Sequence, residues 1–474
     1  MQRAGTADTS AQLTGAGRPT ASTAAVGKDL RKRVPRRSHG EWSASPDRAS
    51  PLEILRDQEK DRVPELLPLR HERMAASPFA FFRGGAAIMA ADLRETPVTG
   101  LQVQLCGDAH ISNFGGFASP ERRLVFDVND FDETLPGPWE WDVKRMVTSV
   151  EIAARDRGFG GAEGRAAVLE TAGAYRDAMR SFAAMTPLEV WYASLDVEAL
   201  LPDIEENLGG HAARDAGRRI SRAMGKDSAR AARKLTEVVD GRPRIVDEPP
   251  LVVRLQDLLP DVEAQQLEEG IRGIIADYRQ TLSPDRQVLL DHYVYEDVAR
   301  KVVGVGSVGR LSWIVLLMGR EHADPLVLQL KQAASSALEA HLGPSRYPNH
   351  GERVVRGQRL IQASSDVLLG WLRTAGLDGI ERDFYVRQLW DWKTSADLTT
   401  ISASGLAAHA RLCAWTLARA HARTGDPTAI ASYLGQGAAF DHALAVFAAV
   451  YADQNQRDYD EFIRSGGDSP VGGR

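Results

Sequence analysis

The stretch from residue 101 to residue 146 carries more ionisable side chains at fixed spacing than any other part of the chain. It begins with an alternating apolar and polar run, LQVQLC, which is typical of a half-buried strand and which ends just before Asp108. Asn113 follows five residues later, and a β-rich run from Leu124 to Val128 leads to Asp130. The pattern predicts a strand, a loop and a hairpin that hold these polar side chains at one cleft.

Two carboxylates and one amide oxygen would share the mouth of this hairpin. Asp108, Asn113 and Asp130 supply hard oxygen ligands of the kind that Mg²⁺ accepts when it is shared with phosphate groups. The opposing interpretation is that the acids and glycines simply mark turns, as they do in many Asp-rich hairpins. We interpret Asp127 and Asp132, in the same hairpin, as solvated or supporting acids.

The sequences GDAHISN and NDF resemble the catalytic loop and the metal loop of the protein-kinase-like phosphotransferases, and they are most similar to the aminoglycoside and choline kinase branch. The resemblance implies that Asp108 orients the substrate hydroxyl or accepts its proton, while Asn113 and Asp130 bind Mg²⁺. His110 matches the histidine of the G-D-x-H-x-x-N variant and is implied in catalysis. Asp142 matches an acid that opens the next helix and braces the catalytic loop.

A second informative region, residues 299 to 333, reads ARKVVGVGSVGRLSWIVLLMGREHADPLVLQLKQA. A dinucleotide-binding turn uses the same glycine spacing but must open a helix, whereas these glycines precede a run rich in Trp, Ile and Val that favours a strand. A turn and another strand, Leu326 to Lys331, follow. This succession is similar to the phosphate-covering flap of a kinase small lobe. The resemblance implies that the nucleotide is bound by Gly304, Gly306, Ser307 and Gly309.

Lys331 is the candidate phosphate-binding cation. Alternate leucines share one face of its strand, so the lysine projects from the other face. It matches the third-strand lysine that pairs with the α- and β-phosphates of the nucleotide. Its acidic partner on the following helix is expected to be Glu352, with Glu339 as the alternative. The opposing interpretation is an edge-strand lysine that guards against aggregation.

The motifs occur in the wrong order for a kinase, because the glycine loop and Lys331 come roughly 200 residues after the catalytic loop. A circular permutation reconciles the order, with a helix predicted over Gly405 to Arg423 in the position that normally leads into the catalytic loop. After a strand from Phe384 to Leu389, the run from Trp390 to Lys393 matches the hinge that would hold adenine, or is an ordinary strand exit.

The predicted fold class is therefore α+β, a circularly permuted, protein-kinase-like fold of two lobes. A mostly helical large lobe accompanies a small antiparallel β lobe. The expected domains are a disordered basic tail, a helical region with the catalytic and metal loops, a β region with the glycine loop and lysine, and C-terminal helices that rejoin the large lobe, at residues 1–48, 49–295, 296–395 and 396–474.

Composition narrows the classes of partner. The chain has 474 residues, of which 43% are hydrophobic and 26% charged, and a net charge of -6 argues against a general nucleic-acid or membrane-surface binder. Its two cysteines lie far apart, which supports neither a disulfide framework nor a zinc site. No long apolar run or signal peptide is evident, so the protein is expected to be soluble and cytoplasmic.

Taken together, the motifs GDxHxxNF, NDFDE, VGVGSVG, YVRQL and LARAHARxGD resemble those of the uncharacterised bacterial DUF2252 family over roughly residues 50 to 465. The expected function, which rests on the kinase-like motifs, is ATP- and Mg²⁺-dependent phosphoryl transfer to an unidentified hydroxyl-bearing small molecule or protein. The alternatives are nucleotidyl (AMP) transfer, a nucleotide-binding pseudokinase that acts as a scaffold or regulator, and a metal-dependent hydrolase built on GDAH and DVNDFD alone.

Overall fold

The structure is a computed structural model. It describes residues 20–200, 202, 214, 217–218, 220–222, 224–225, 228–259, 261–262, 264–302, 308–319, 324–376, 378–389 and 392–466. In these ranges helices are the commoner element, and strands form several antiparallel sheets. The predicted α+β class is confirmed, whereas the division into protein-kinase-like lobes stays a prediction.

The α-helices begin at residues suited to helix starts. Pro51, Pro78, Pro187 and Pro427 each occupy the first turn, where the missing N–H costs no hydrogen bond. In chain order the α-helices of the described residues are Thr20–Arg33, Pro51–Glu59, Leu67–Ala75, Pro78–Gly84, Ala86–Leu93, Trp139–Asp156, Gly161–Ala183, Pro187–Tyr192, Ser228–Leu235, Leu255–Leu258, Ala264–Arg279, Pro284–Leu290, Glu339–Leu342, His350–Ile361, Ala403–Thr424, Pro427–Leu434 and Ala439–Arg464. None of these helices is both long and apolar enough to cross a membrane.

The strands of the described residues are, in chain order, β1 (Gln102–Leu105), β2 (Phe114–Ala118), β3 (Leu124–Val128), β4 (Leu135–Pro138), β5 (Leu195–Asp196), β6 (Thr236–Val239), β7 (Arg242–Ile245), β8 (Val252–Arg254), β9 (Val294–Lys301), β10 (Ser312–Met318), β11 (Pro325–Ala333), β12 (Gly370–Ala375), β13 (Glu381–Gln388) and β14 (Thr394–Ser395). The largest sheet has the order β12-β13-β11-β10-β9-β8, and a second sheet has the order β14-β2-β3-β5. The remaining pairs are β1 with β4 and β6 with β7.

The two faces of the six-stranded sheet have different neighbours. Leu326 and Leu328 of β11 join an apolar cluster with Tyr278 of helix Ala264–Arg279. The alternation along the strand turns Val327 into a separate cluster and directs Lys331 away from the helix, as the leucine pattern predicts. One face of the sheet is therefore covered by helix Ala264–Arg279, while the other contacts helix Ser228–Leu235 at Val327 and the segment after β3 at Lys331.

The main apolar core joins the hairpin to the long helices. Phe114 and Val128 of the hairpin are fully buried in one cluster with Trp139, Leu417 and Phe447, which lie on three different helices. Helix Ala403–Thr424, predicted over Gly405 to Arg423, packs along helix Gly161–Ala183 and also contacts β1 and β3. The predicted catalytic loop thus lies beside a helix that follows it by roughly 300 residues in sequence.

The predicted boundaries of the central domains differ from the structure. Region 49–295 contains β8, which pairs with β9 in the six-stranded sheet, and helix Ala264–Arg279, which packs on that sheet. Strand β9 itself begins at Val294, before the predicted boundary at residue 296. The unit around the sheet consequently starts earlier than the glycine motif suggested, because its edge strand and covering helix carry no recognisable motif.

The predicted disorder of residues 1–48 is wrong for the described part, residues 20–48. Helix Thr20–Arg33 packs on helix Pro427–Leu434, and the Nε2 atom of His39 lies 2.7 Å from the hydroxyl oxygen of Tyr433. Arg48 forms ion pairs with Asp92 and Asp458 at 2.7 Å. The segment has little apolar surface of its own but is held by polar contacts with partners about 400 residues away, which composition does not reveal.

Candidate active site

Asp142 fixes the start of the predicted catalytic loop. The carboxylate of Asp142 accepts hydrogen bonds from the backbone N–H groups of Cys106 at 2.8 Å and Gly107 at 3.0 Å. Asp142 lies in the first turn of helix Trp139–Asp156, and its Oδ2 is 3.3 Å from Nε2 of His421. Gly107 has a φ of +84°, a conformation that strongly favours glycine. The turn therefore aims the next residue, Asp108, out of β1.

Asp108 is held by an arginine from the following helix. The Nε atom of Arg145 donates a hydrogen bond of 2.5 Å to Oδ1 of Asp108. The Arg145 guanidinium is itself enclosed, since it lies 4.2 Å above the Phe82 ring and donates to the Phe82 carbonyl at 2.9 Å. Burial raises the pKa of Asp108, and the opposing effect of Arg145 does not fully offset it. The carboxylate is thus fixed in direction and partly shielded from solvent.

Asn113 and Asp130 lie on either side of the hairpin entrance. The Nδ2 group of Asn113 donates to the carbonyl of Asp108 at 2.8 Å, which leaves the amide oxygen as the atom able to meet a cation. The Asn113 carbonyl accepts a hydrogen bond of 2.8 Å from the N–H of Asn129, next to Asp130. The Asp130 side chain is 35% exposed, so its carboxylate can reach a ligand in the cleft. The loop and the hairpin end are therefore joined by a backbone hydrogen bond.

The structure brings Lys331 together with these acids. Its Nζ atom lies 2.5 Å from Oδ2 of Asp132 and 3.6 Å from Oδ1 of Asp130, and the lysine is only 3% exposed. Tyr385, the neighbour of Lys331 across β11 and β13, donates its hydroxyl proton to Oδ1 of Asp132 at 2.9 Å. A residue of the six-stranded sheet thus meets two acids of the hairpin region in a buried contact.

The expected partners of Lys331, Glu352 and Glu339, are wrong. Glu352 pairs with Arg356, one helical turn later, and Glu339 lies 3.7 Å from Arg353. Neither glutamate forms an ion pair with Lys331 in the described residues. Asp132 takes that place because the hairpin, not the helix after β11, faces the lysine.

The Lys331 and Asp132 charges stabilise each other in the buried environment. Burial alone would lower the pKa of Lys331, but the carboxylates of Asp130 and Asp132 outweigh burial and raise it. Burial would raise the pKa of Asp132, but the Lys331 ammonium and the Arg310 guanidinium outweigh it and lower that pKa. Both residues are therefore charged at neutral pH.

His110 lies inside the loop and not at its surface. The ring is 3% exposed, and its Nε2 atom is 3.6 Å from Oδ2 of Asp108. Burial lowers the pKa of His110 far below its usual value, and the cations Arg83 and Arg145 lower it further. The imidazole is therefore neutral, and it packs behind the carboxylate that it was predicted to assist.

Only part of the predicted nucleotide-binding segment is described. Gly304, Gly306 and Ser307 lie outside the described residues, as do Trp390 and Asp391 of the predicted hinge. Gly309 has a φ of +89°, and its carbonyl accepts a hydrogen bond of 2.7 Å from the N–H of Val63. The C-terminal end of the predicted glycine loop is therefore hydrogen-bonded to the segment before helix Leu67–Ala75.

A small cavity lies beside the hairpin where β13 ends. It has a volume of about 60 Å³, and its walls include Phe117, Asn129, Gln388 and Lys393. Lys393 belongs to the run that was predicted as the hinge, so that run borders the hairpin.

Sequence reasoning missed a second buried ion pair in the hairpin. Arg419 donates to both carboxylate oxygens of Asp127, at 2.7 and 2.8 Å, and Asp127 also accepts from the N–H of Ala363 at 2.9 Å. Arg353 likewise donates to the carbonyls of Asp132, Thr134 and Ala334, each at 2.8 Å. An arginine in a helical sequence is normally predicted to lie at the surface. The sequence therefore gave one indication of these contacts, the additional acids Asp127 and Asp132 in DVNDFDE.

The residues present fit a hard divalent cation that is shared with a ligand. In the described ranges no group of three or more His, Cys, Asp or Glu side chains is arranged to hold a metal by itself. Mg²⁺ commonly uses only one or two protein carboxylates and completes its shell with water and substrate phosphates. The Asp130 carboxylate and the Asn113 amide oxygen match that smaller requirement.

Comparison with known proteins gives one match. The family model described as "Uncharacterized protein conserved in bacteria (DUF2252)" matches residues 62–465, which include every predicted site residue. No curated protein and no solved structure matches the chain.

Proposed function

The chain belongs to the DUF2252 family, and we propose that it is an ATP- and Mg²⁺-dependent phosphotransferase that acts on a hydroxyl-bearing acceptor. The observation that carries the proposal is the contact of Lys331 with Asp130 and Asp132, at 3.6 and 2.5 Å. These residues come from two motif regions that are far apart in sequence but would have to share one nucleotide's phosphates in a kinase-like site.

The proposal includes a kinase-like arrangement with permuted connectivity. The antiparallel sheet that carries Lys331 would act as the small lobe, and the helical body with Asp108 as the large lobe. Helix Ala403–Thr424 supports this reading because it contacts β1 just before the catalytic loop, although it follows that loop in sequence. Permutation of this kind requires only that the old chain ends lie close together at a surface.

Each residue would have a distinct task. Lys331 would bind the α- and β-phosphates, and Asn113 and Asp130 would hold the metal. When bound, Mg²⁺ supplies neutralisation of phosphate charge. Asp108 would orient the acceptor hydroxyl; its hydrogen bond with Arg145 favours this orienting role because it fixes the carboxylate in one direction. Positioning and charge stabilisation account for most of the catalysis in phosphoryl transfer.

Binding of Mg²⁺·ATP requires a rearrangement of charge around Lys331. The ammonium is engaged by Asp130 and Asp132, so a phosphate must draw it from Asp130 while Asp132 retains it. In this proposal Asp132 replaces the helix glutamate that braces the lysine in protein kinases. Asp132 suits that task better than Asp130, because its shorter contact and the hydroxyl of Tyr385 fix its position.

The test is a pair of measurements on the full chain. Calorimetry with ATP, with and without Mg²⁺, asks whether the nucleotide binds and whether the metal strengthens binding. Incubation with γ-labelled or α-labelled ATP and a cell extract then identifies the group that is transferred. Movement of the γ label supports phosphoryl transfer, and movement of the α label would replace it by AMP transfer. Binding without movement of either label would indicate a pseudokinase, and no binding at all would contradict every nucleotide-based proposal.

A further inference from the structure

We propose that Arg83 is a further catalytic residue that binds the phosphoryl group during its transfer, between Asp108 and Asp130. The inference rests on the proposed function and extends it to a residue that no kinase motif includes. The support comes from the position of Arg83, from its lack of a hydrogen-bonding partner, and from the contrast with other buried arginines around the hairpin.

Arg83 is attached to the catalytic loop through its sequence neighbour. It lies in the last turn of helix Pro78–Gly84, and the preceding residue, Phe82, is the one whose ring and carbonyl enclose Arg145. Arg145 in turn holds Asp108. Phe82 therefore forms part of the wall behind Asp108, and Arg83, the next residue, is a cation on which the Asp108 and Asp130 carboxylates act.

The Arg83 guanidinium has no bonded partner in the described part of the chain. Its Nε atom is buried and makes no hydrogen bond, and the guanidinium forms no ion pair within 4.0 Å. The carboxylates of Asp108 and Asp130 both act on its charge. Burial lowers the pKa of Arg83, and these two carboxylates only partly offset the effect. A partly buried cation with an unbonded Nε atom is stabilised when a ligand supplies an anion.

The other buried arginines around this region are used structurally. Arg145 is committed to Asp108, Arg419 to Asp127, and Arg353 to three backbone carbonyls. Arg83 is less deeply buried than these three arginines, and it makes none of these bonds. It is therefore the arginine in this group whose donors remain available to a phosphoryl oxygen.

The reaction defines what such a cation would do. The acceptor oxygen forms a bond to the γ-phosphorus while the bond from that phosphorus to the β–γ bridging oxygen breaks, and the electron pair leaves with ADP. The hydroxyl proton goes to Asp108 or to solvent. Negative charge on the equatorial oxygens must be stabilised during this step, and an arginine does so with several donors in a fixed plane. Removal of one such donor group typically costs about 10²- to 10³-fold in rate.

The experiment compares Arg83→Met, Arg83→Lys and a control, Arg94→Met, which replaces an exposed arginine near the end of the next helix. Three quantities are measured for each protein: the dissociation constant of Mg²⁺·ATP by calorimetry, the melting temperature, and the amount of Mg²⁺·ADP trapped with aluminium fluoride, which imitates the planar phosphoryl group. Trapping needs no acceptor, so the unidentified substrate does not limit the test.

Arg83→Met is expected to bind Mg²⁺·ATP within about threefold of the wild type and to lose trapping by about 10²-fold or more. Arg83→Lys should keep the fold and recover little trapping, because it restores the charge without the planar donors. Arg94→Met should match the wild type. Trapping that survives in both Arg83 variants would overturn the inference, as would a wild type that binds Mg²⁺·ATP but forms no trapped complex. Failure of the wild type to bind Mg²⁺·ATP would instead overturn the proposed function.

Discussion

The ammonium of Lys331 and the carboxylate of Asp132 form a buried ion pair of 2.5 Å between residues 199 positions apart. The pair connects β11 of the six-stranded sheet to the hairpin region, and Tyr385 and Arg353 fix the acid from two further elements. Because both charges are almost inaccessible to water, each depends on the other for its solvation.

Asp132→Asn is therefore expected to lower the free energy of unfolding by about 3 to 5 kcal/mol, the usual result of removing one partner from a buried pair. The matched control is Glu352→Gln, which removes an acid paired with the half-exposed Arg356 and should change stability by less than about 0.5 kcal/mol. Urea unfolding of both variants provides the comparison. Equal effects would mean that Lys331 is not braced by Asp132.

Asp108→Asn and Asp130→Asn should separate turnover from binding. Asp108→Asn leaves the metal and phosphate groups in place, so Mg²⁺·ATP binding should remain while transfer falls by about 10²- to 10⁴-fold. Asp130→Asn removes a charge from the proposed metal site and should weaken Mg²⁺·ATP binding as well as transfer. Calorimetry and the labelled-ATP assay measure the two effects. A loss of binding in Asp108→Asn equal to that in Asp130→Asn would contradict the assignment.

The buried side chain of Lys144 should make the stability of the protein depend on pH. Its Nζ atom is buried without a hydrogen-bond partner, and burial lowers the pKa of Lys144 to about 7, with only partial compensation from Glu140. The unfolded chain binds this proton more tightly, so stability rises as the pH increases from the folded pKa toward the unfolded value.

Lys144→Met should consequently be more stable than the wild type by more than about 1 kcal/mol at pH 6, and the difference should shrink as the pH approaches 9. Thermal or urea unfolding at several pH values measures the difference. Lys28→Met removes an exposed lysine and serves as the control, with a stability curve parallel to that of the wild type. A constant difference across the pH range for Lys144→Met would show that the ammonium does not titrate there.

The close contact at Gly27 provides a test of whether helix Thr20–Arg33 packs on helix Pro427–Leu434. A Cβ atom on Gly27 would collide with the carbonyl oxygen of Ala429, where helix Thr20–Arg33 crosses helix Pro427–Leu434. Gly27→Ala should therefore lower stability by about 1 to 3 kcal/mol, the usual cost of overpacking. Gly173→Ala, in the middle of helix Gly161–Ala183, meets only ordinary contacts and should gain up to about 1 kcal/mol of helix propensity. Melting temperatures that change in the same direction would contradict a docked helix.

Local sequence patterns predicted the elements that carry the candidate site. The run of alternating leucines gave the correct face for Lys331, and β3 has the bounds expected from Leu124 to Val128. These features depend on periodicities of a few residues, which a single sequence displays directly.

Partners across the chain could not be predicted in the same way. Nothing in the sequence distinguishes Asp132 from Asp130 as the acid that meets Lys331, because the choice depends on how the hairpin is oriented against the sheet. The docking of His39 against Tyr433 spans 394 residues and leaves no local pattern. The kinase motifs also predicted that a glutamate on the following helix pairs with Lys331. The structure places Asp132 there instead, because of how the hairpin is oriented.

The ion pair between Asp127 and Arg419 has a consequence for synthesis of the chain on the ribosome. The acid is made 292 residues before its partner, and at about 5 to 20 residues per second the delay is about 15 to 60 s. During that time the nascent hairpin lacks both its neutralising cation and the helix against which it packs. The hairpin that carries Asp130 therefore cannot reach its final state before Arg419 has been synthesised, and a chain that stops before residue 419 leaves a buried acid uncompensated.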